Sequence, residues 1–241
     1  MGGTYRFGSA LPPLPALKAP MSEKRIALYR PKGGEVAPQT PAIPFFEVVE
    51  ARCSLRARGK QALSAEQLGT FLYYCARVKD VQPAVPGDRH SYEASFRPCA
   101  SGGAMHELEL YLTITRCAGI PAGFYHYDPL AHVLEHLADL GPAHESLLND
   151  GRAAAGMPMP PDVLITLAAR FQRGAWKYQA VAYALTLKNV GSLYQQMYLV
   201  ATSLKLAPCA LGSGNSDLFA GLAGLDYYAE TSVGEFLLSG S

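Results

Sequence analysis

Four short segments gather the residue types that hold a charged ligand or move a proton. Arg52-Cys53-Ser54-Leu55-Arg56 sets two guanidiniums and a hydroxyl close together. Whether helical or extended, they could converge on one phosphate, because arginine offers bidentate, charge-assisted hydrogen bonds. The same residues also suit a solvated basic face. Ser101-Gly102-Gly103 is a small-residue turn that runs into an alternating segment. Paired glycines allow positive φ or close backbone approach and the serine adds a hydroxyl, so the turn either seats a flat cofactor or is an ordinary tight turn. Trp176-Lys177-Tyr178-Gln179 places a lysine beside a phenol. The charge lowers a phenol's pKa and burial lowers a lysine's, so either could act as a general base; a snorkelling lysine on a packed aromatic is the plain alternative.

The fourth segment is Cys209-Ala210-Leu211-Gly212-Ser213-Gly214. No base adjoins Cys209, so a small buried side chain is expected there. The glycines after it either present backbone N–H groups to a ligand ring or form a helix C-terminal turn before Asn215. A rival motif, His132-Val133-Leu134-Glu135-His136, has the spacing of some zinc peptidases. No third ligand stands out downstream and His144 lies beyond Gly141-Pro142, so two surface histidines on an amphipathic helix are expected, with no metal.

These groups need elements to position them. Ser64-Ala65-Glu66-Gln67 is a capping box opening a helix that ends near Val78, with Leu68, Leu72 and Cys75 on one face. The run 107–116 alternates, with Leu108, Leu110, Leu112 and Ile114 on one side and Glu109, Tyr111, Thr113 and Thr115 on the other, the pattern of a half-buried strand. Residues 124–127 read as a short strand closed at Asp128-Pro129, and 132–140 as a helix stopped by Gly141-Pro142. A buried strand is expected over 163–171, leaving Trp176 to Gln179 in a loop at its end, and another strand at Phe236-Leu237-Leu238. Between them Val190, Leu193, Met197, Val200, Ala201 and Leu204 recur at helical spacing up to Pro208, the longest helical pattern in the chain. The class is α+β, without internal repeats.

The 241 residues, 49% hydrophobic, suffice for one sizeable core with an extension. Eight of the 18 prolines precede Glu47, so residues 1–46 are expected to form a proline-rich arm wrapping the body or a partner. A net charge of +1, from 21 basic and 20 acidic residues, gives no reason to expect nucleic acid or an anionic membrane as partner. Five widely spaced cysteines without a Cys-x-x-Cys pair argue against a disulfide framework. Lys205 and Pro208 break the most apolar stretch and the N-terminus lacks a signal pattern, so a soluble cytoplasmic protein is expected.

Taken in order, these segments resemble the FMN-dependent nitroreductase superfamily and, within it, the SagB-type thiazole/oxazole-forming peptide dehydrogenases. The resemblance rests on residues 52–56, 64–76, 101–111 and 123–129, on Trp176 to Gln179 and on Cys209 to Gly212. It implies a nitroreductase-like α+β fold over 47–241: a mostly antiparallel sheet flanked by helices, in a homodimer with a long central helix and FMN at the subunit interface. Arg52, Ser54 and Arg56 would hold the flavin phosphate. Ser101, Gly102 and Gly103 would line the cofactor, and Leu211 and Gly212 would approach its ring. Lys177 and Tyr178 match the pair regarded as the base in azoline dehydrogenation, with dioxygen as electron acceptor and a cyclodehydratase or synthetase as partner. The implied substrate is an azoline peptide, ribosomal or carrier-bound. An NAD(P)H-dependent nitroreductase, a dehydroamino-acid reductase and a weakly active scaffold subunit are the other readings. The chain departs from the pattern at Met105, where relatives carry arginine, and at Val181-Ala182-Tyr183-Ala184, where they carry Arg-Ala-Tyr-Arg.

Overall fold

The computed structural model describes residues 11–32 and 43–241. The parts of the expected arm at 1–10 and 33–42 lie outside these described residues. In chain order the elements are β1 (Arg25–Ala27), α1 (Phe45–Ala51), β2 (Leu63–Ser64), α2 (Ala65–Ala76), β3 (Asp80–Gln82), β4 (Ala94–Phe96), β5 (Leu108–Ile114) and β6 (Cys117–Ala118). There follow β7 (Gly123–Asp128), β8 (Val133–Ala138), α3 (Pro142–Ala155), β9 (Val163–Arg170), α4 (Phe171–Tyr178), α5 (Ala182–Ser203), β10 (Ala207–Leu211), α6 (Ser216–Ala223) and β11 (Glu230–Ser239).

A seven-stranded sheet runs in the order β1-β8-β7-β5-β9-β11-β10, and every neighbouring pair in it is antiparallel. Helices flank it, as the α+β reading expects. The capping box forms: Gln67 N donates to Ser64 Oγ at 3.1 Å and the Gln67 side chain accepts from Ser64 N at 3.0 Å. This satisfies two of the orphan amides of the first turn of α2. Helix α2 then presses Leu68, Phe71, Leu72 and Cys75 onto one face of the sheet, beside Val190, Leu193 and Met197 of the 22-residue α5.

Strand β5 is buried on both faces, correcting the half-buried expectation. Leu108, Leu110, Leu112 and Ile114 meet α2 and α5, while Tyr111 packs with Phe124 and Phe219 beneath α3 and α6. Its charged position is paired rather than hydrated: His126 Nε2 and Arg170 Nη1 meet the Glu109 carboxylate at 3.2 and 3.3 Å.

The expected helix over 132–140 is instead strand β8, paired with β7 on one side and β1 on the other. A run this short fits either period, and the two ladders decide it by satisfying its backbone groups. Gly141-Pro142 therefore opens α3 rather than stopping a helix; proline at the first helical position gives up an amide that would be orphaned anyway. Without a helix, His132 and His136 do not sit one helical turn apart, and they are not the expected surface pair. His132 is buried, with Nδ1 at 2.7 Å from Tyr127 Oη and Nε2 at 2.9 Å from Tyr29 O, while His136 meets Asp139 at 3.1 Å. Among the described residues no cluster of three metal-ligating side chains occurs, and no helix is long and apolar enough to cross a membrane.

The described part of the arm packs on the body. Beyond β1, Lys18 Nζ donates to Glu230 Oε2 at 2.6 Å and to Tyr111 Oη at 2.7 Å, and Ala16 N donates to Glu93 at 2.7 Å.

Candidate functional site

Helix α4 starts directly from β9, so Trp176 to Tyr178 are helical and not in the expected loop. Arg173, Gly174 and Trp176 turn inward and leave Lys177 and Tyr178 half-buried. Arg173 anchors the helix by donating to three backbone carbonyls: Met105 O, Leu14 O at 2.6 Å and Glu93 O at 2.8 Å. Burial, reinforced by Arg170 and Arg97, lowers its pKa to about 10, so it stays charged at neutral pH.

The glycine turn faces this helix. Its backbone is strained: Gly103 has φ of 59°, and Ala104 and His106 have 54° and 44°. For the two non-glycine residues that costs roughly 1–3 kcal/mol each, and such outliers concentrate at functional sites. Side-chain bonds hold the shape. His106 N donates to Ser101 Oγ at 3.0 Å, Gly102 N to Asn189 Oδ1 at 3.0 Å, and Asn189 Nδ2 to the Glu107 carboxylate at 2.7 Å. Burial, then Arg97 and Arg173, push the His106 pKa down to about 3, leaving its ring neutral.

Gly103 is where turn and helix meet. A Cβ there would lie 2.2 Å from Lys177 Nζ and 2.4 Å from Tyr178 Oη, so a side chain would push both groups from these positions, at a φ that already favours glycine. Lys177 Nζ donates to Tyr92 Oη and lies 4.3 Å from the centre of that ring, and Tyr92 Oη donates to Gly103 O at 2.9 Å. The structure thus brings Ser101, Gly102, Gly103, Lys177 and Tyr178 together.

Arg52, Ser54 and Arg56 form a second group, on α5 and β10. The Arg52 guanidinium sits 5.2 Å from the Tyr198 ring centre, Ser54 Oγ is 2.7 Å from Tyr198 Oη, and Ala210 N donates to that same hydroxyl at 2.8 Å. Arg56 hydrogen-bonds to the Cys209 side chain, and Leu55 N donates to Pro208 O at 2.8 Å. Cys209 is buried, as expected, and burial raises its pKa. Leu211 and Gly212 stand at the end of β10, where the loop through Gly214 leads to Asn215, the N-cap of α6; the helix C-terminal turn is not formed. They line a pocket with Tyr194, Ser232 and Glu235.

These groups are strung along α5 at Asn189, Tyr194 and Tyr198. From the first to the last the helix climbs about 14 Å, at ~1.5 Å per residue. Their chemistry fits an elongated phosphate-bearing cofactor such as FMN. Neither Arg52 nor Arg56 is ion-paired to a carboxylate among the described residues, which leaves guanidinium donors for a phosphate. At Gly212 an added Cβ would meet only open space, and the buried Tyr194 hydroxyl in the same pocket finds no partner in good hydrogen-bond geometry.

Sequence reasoning missed Tyr92, Glu107, Asn189, Tyr194 and Tyr198 as parts of these groups. A polar amide on the apolar face of α5 was the available signal for Asn189. Tyr92 sits in a polar loop with no signal of its own. At Met105, where an arginine was expected by resemblance, the side chain is buried and the carbonyl serves Arg173.

Fold and site together define an α+β protein of nitroreductase architecture, with a strained glycine turn set against a lysine–tyrosine pair. The chain belongs to the nitroreductase family, whose model matches residues 49–236. Among curated relatives, a Methanocaldococcus jannaschii protein named as a nitroreductase, MJ1384, is 27% identical over 73% of this chain and 82% of its own. The microcin B17-processing protein McbC of Escherichia coli is 30% identical over 46% of this chain and 42% of its own. A Ralstonia eutropha crystal structure named as a nitroreductase superposes with a TM-score of 0.67 at 20% identity, covering 99% of this chain and 98% of that one. The E. coli microcin synthetase McbBCD complex with truncated pro-MccB17 bound gives 0.59 at 23%, covering 91% and 79%. A Desulfovibrio desulfuricans nitroreductase-type structure in complex with FMN gives 0.53 at 14%, covering 83% and 87%.

Proposed function

We propose that this protein is an FMN-dependent, SagB-type dehydrogenase that oxidises thiazoline or oxazoline rings in a peptide to the aromatic azoles. The observation that carries the reading is the meeting of Lys177 Nζ, Tyr178 Oη and Gly103, where two protonatable atoms border a turn kept open by glycine. Similarity to the microcin B17-processing protein supports a peptide substrate.

In this reading Arg52, Ser54 and Arg56 bind the cofactor phosphate, Leu211 and Gly212 line its ring, and Ser101, Gly102 and Gly103 form the facing wall. Residues 47–241 form the FMN-binding domain and residues 1–46 the arm. Two chains pair as a homodimer, each completing the other's site, which accounts for the separation of the two residue groups along α5. When bound, FMN would supply the two-electron acceptor for the hydride lost from the ring carbon, with dioxygen as its oxidant. The lysine–tyrosine pair takes the proton from the adjacent ring carbon, so the substrate loses two hydrogens in all. The Arg173 anchor and the turn hold the pair in place before substrate arrives, which is the positioning part of the rate enhancement. A cyclodehydratase or synthetase supplies the azoline, in the cytoplasm.

The test is direct. The purified protein should carry a flavin spectrum and shift an azoline peptide by the mass of two hydrogens. Lys177→Ala and Tyr178→Phe should keep flavin bound and lose at least ~100-fold in azole formation, the usual scale for removing a general base. Normal turnover by both variants would overturn the base assignment. Rapid bleaching by NAD(P)H without azole product would favour a reductase.

A further inference from the structure

Beneath the Ser101–Gly103 turn lies a cavity of about 20 Å³, walled by Leu108 and Leu193 and faced by Arg97, Ser101, His106 and Asn189. That is room for one water-sized occupant. Arg97 is only 9% exposed, and its Nη2 is buried without any hydrogen-bond partner. Its Nε reaches Ser95 Oγ at a long 3.3 Å. Among the described residues no carboxylate forms an ion pair with it.

The acids that could neutralise it are already engaged. Glu109 is held by His126 and Arg170, and Glu107 by Asn189 at 2.7 Å and Ser101 at 3.4 Å. Arg173, fully buried and bonded only to backbone carbonyls in the contacts above, adds to the same positive potential; the two arginines and burial together keep His106 neutral. Glu109 acts on Arg97 only from a distance, through its charge; a water in the cavity would satisfy one donor and bring no counter-charge, whereas an anion would do both.

We propose that this cavity binds a single monovalent anion of chloride size, held by Arg97 Nη2. Phosphate and sulfate are too large for it. Because Ser101 forms part of the wall, the bound ion braces the strained turn from below and stabilises the fold whether or not a cofactor is present.

Thermal unfolding of the full chain in sodium chloride, against sodium gluconate at matched ionic strength, reads the site. A ligand that binds only the folded state should raise Tm by about 3–5 °C for each tenfold rise in chloride above its Kd, with no such rise in gluconate. Arg97→Met should abolish the chloride-specific slope. Should that variant fail to fold, a crystal of the unaltered protein soaked in bromide decides, with an anomalous peak expected within hydrogen-bond reach of Nη2. Coincident melting curves in the two salts, or a cavity holding water and no bromide, would overturn the proposal.

Discussion

The two faces of the central sheet are buried by different means. Under α2 and α5 the interface is almost wholly aliphatic and aromatic, with Phe71 and Tyr198 packed on Phe236 at ring distances of 6.3 and 5.3 Å. On the other face, where the arm crosses, the sheet carries Glu109, His126, Glu135, Arg170 and Glu230, all buried and tied by hydrogen bonds and ion pairs. His126 joins two carboxylates, Nδ1 at 3.0 Å from Glu135 and Nε2 at 3.2 Å from Glu109. The first face supplies stability through area removed from water; the second fixes where the arm lies, because each polar group accepts only a partner in the right place.

That contrast can be broken or sharpened by substitution. The largest effect is expected on the apolar face: Phe71→Ala should cost about 3–5 kcal/mol in urea unfolding, equally at acidic and alkaline pH, since the loss is transfer and cavity energy. A strong pH dependence of that loss would show that the faces are not energetically separate. On the polar face, Tyr111→Phe removes the hydroxyl that donates to Glu230 at 2.8 Å and accepts from Lys18. A loss of ~1–2 kcal/mol is expected, with arm residues exchanging amide hydrogens faster than α2 does.

The subtlest expectation concerns pH. Burial opposes charge on His126, yet Glu109 and Glu135 raise its pKa above the ordinary 6.5, while Glu109, despite burial, is held below its ordinary 4.5 by His126 and the nearby arginines. A raised histidine gives stability that is complete below its unfolded pKa and lost as pH climbs through the folded one; a lowered glutamate gives stability lost as pH falls through its folded pKa. The polar face should therefore be firmest between about pH 4.5 and 6.5 and loosen on the alkaline side. His126→Gln should flatten the alkaline limb of a stability–pH curve, and an unchanged limb would remove His126 from the account.

What could be read from the chain follows the range of the interactions involved. The α2 capping box, the apolar run of β9 and the spacing of α5 are local signals and were legible. Strand β8 was not, because Leu134 and Glu135 are strand residues only by virtue of β7 and β1, the latter more than 100 positions upstream. The site divides in the same way. Lys177, Tyr178 and the glycine turn were visible as types, but Tyr92 meets Lys177 across 85 positions and Asn189 meets Gly102 across 87, distances that no periodicity spans.

Trp176 is the only tryptophan in the chain. Its indole N–H donates to Leu11 O of the arm at 2.8 Å, its ring stands edge-on to Tyr92 at 5.8 Å, and Lys177 follows it directly. The molecule thus has a built-in fluorophore at the junction of arm, glycine turn and lysine–tyrosine pair. Its emission should report, without labelling, when the arm lifts and when a ligand reaches the neighbouring wall.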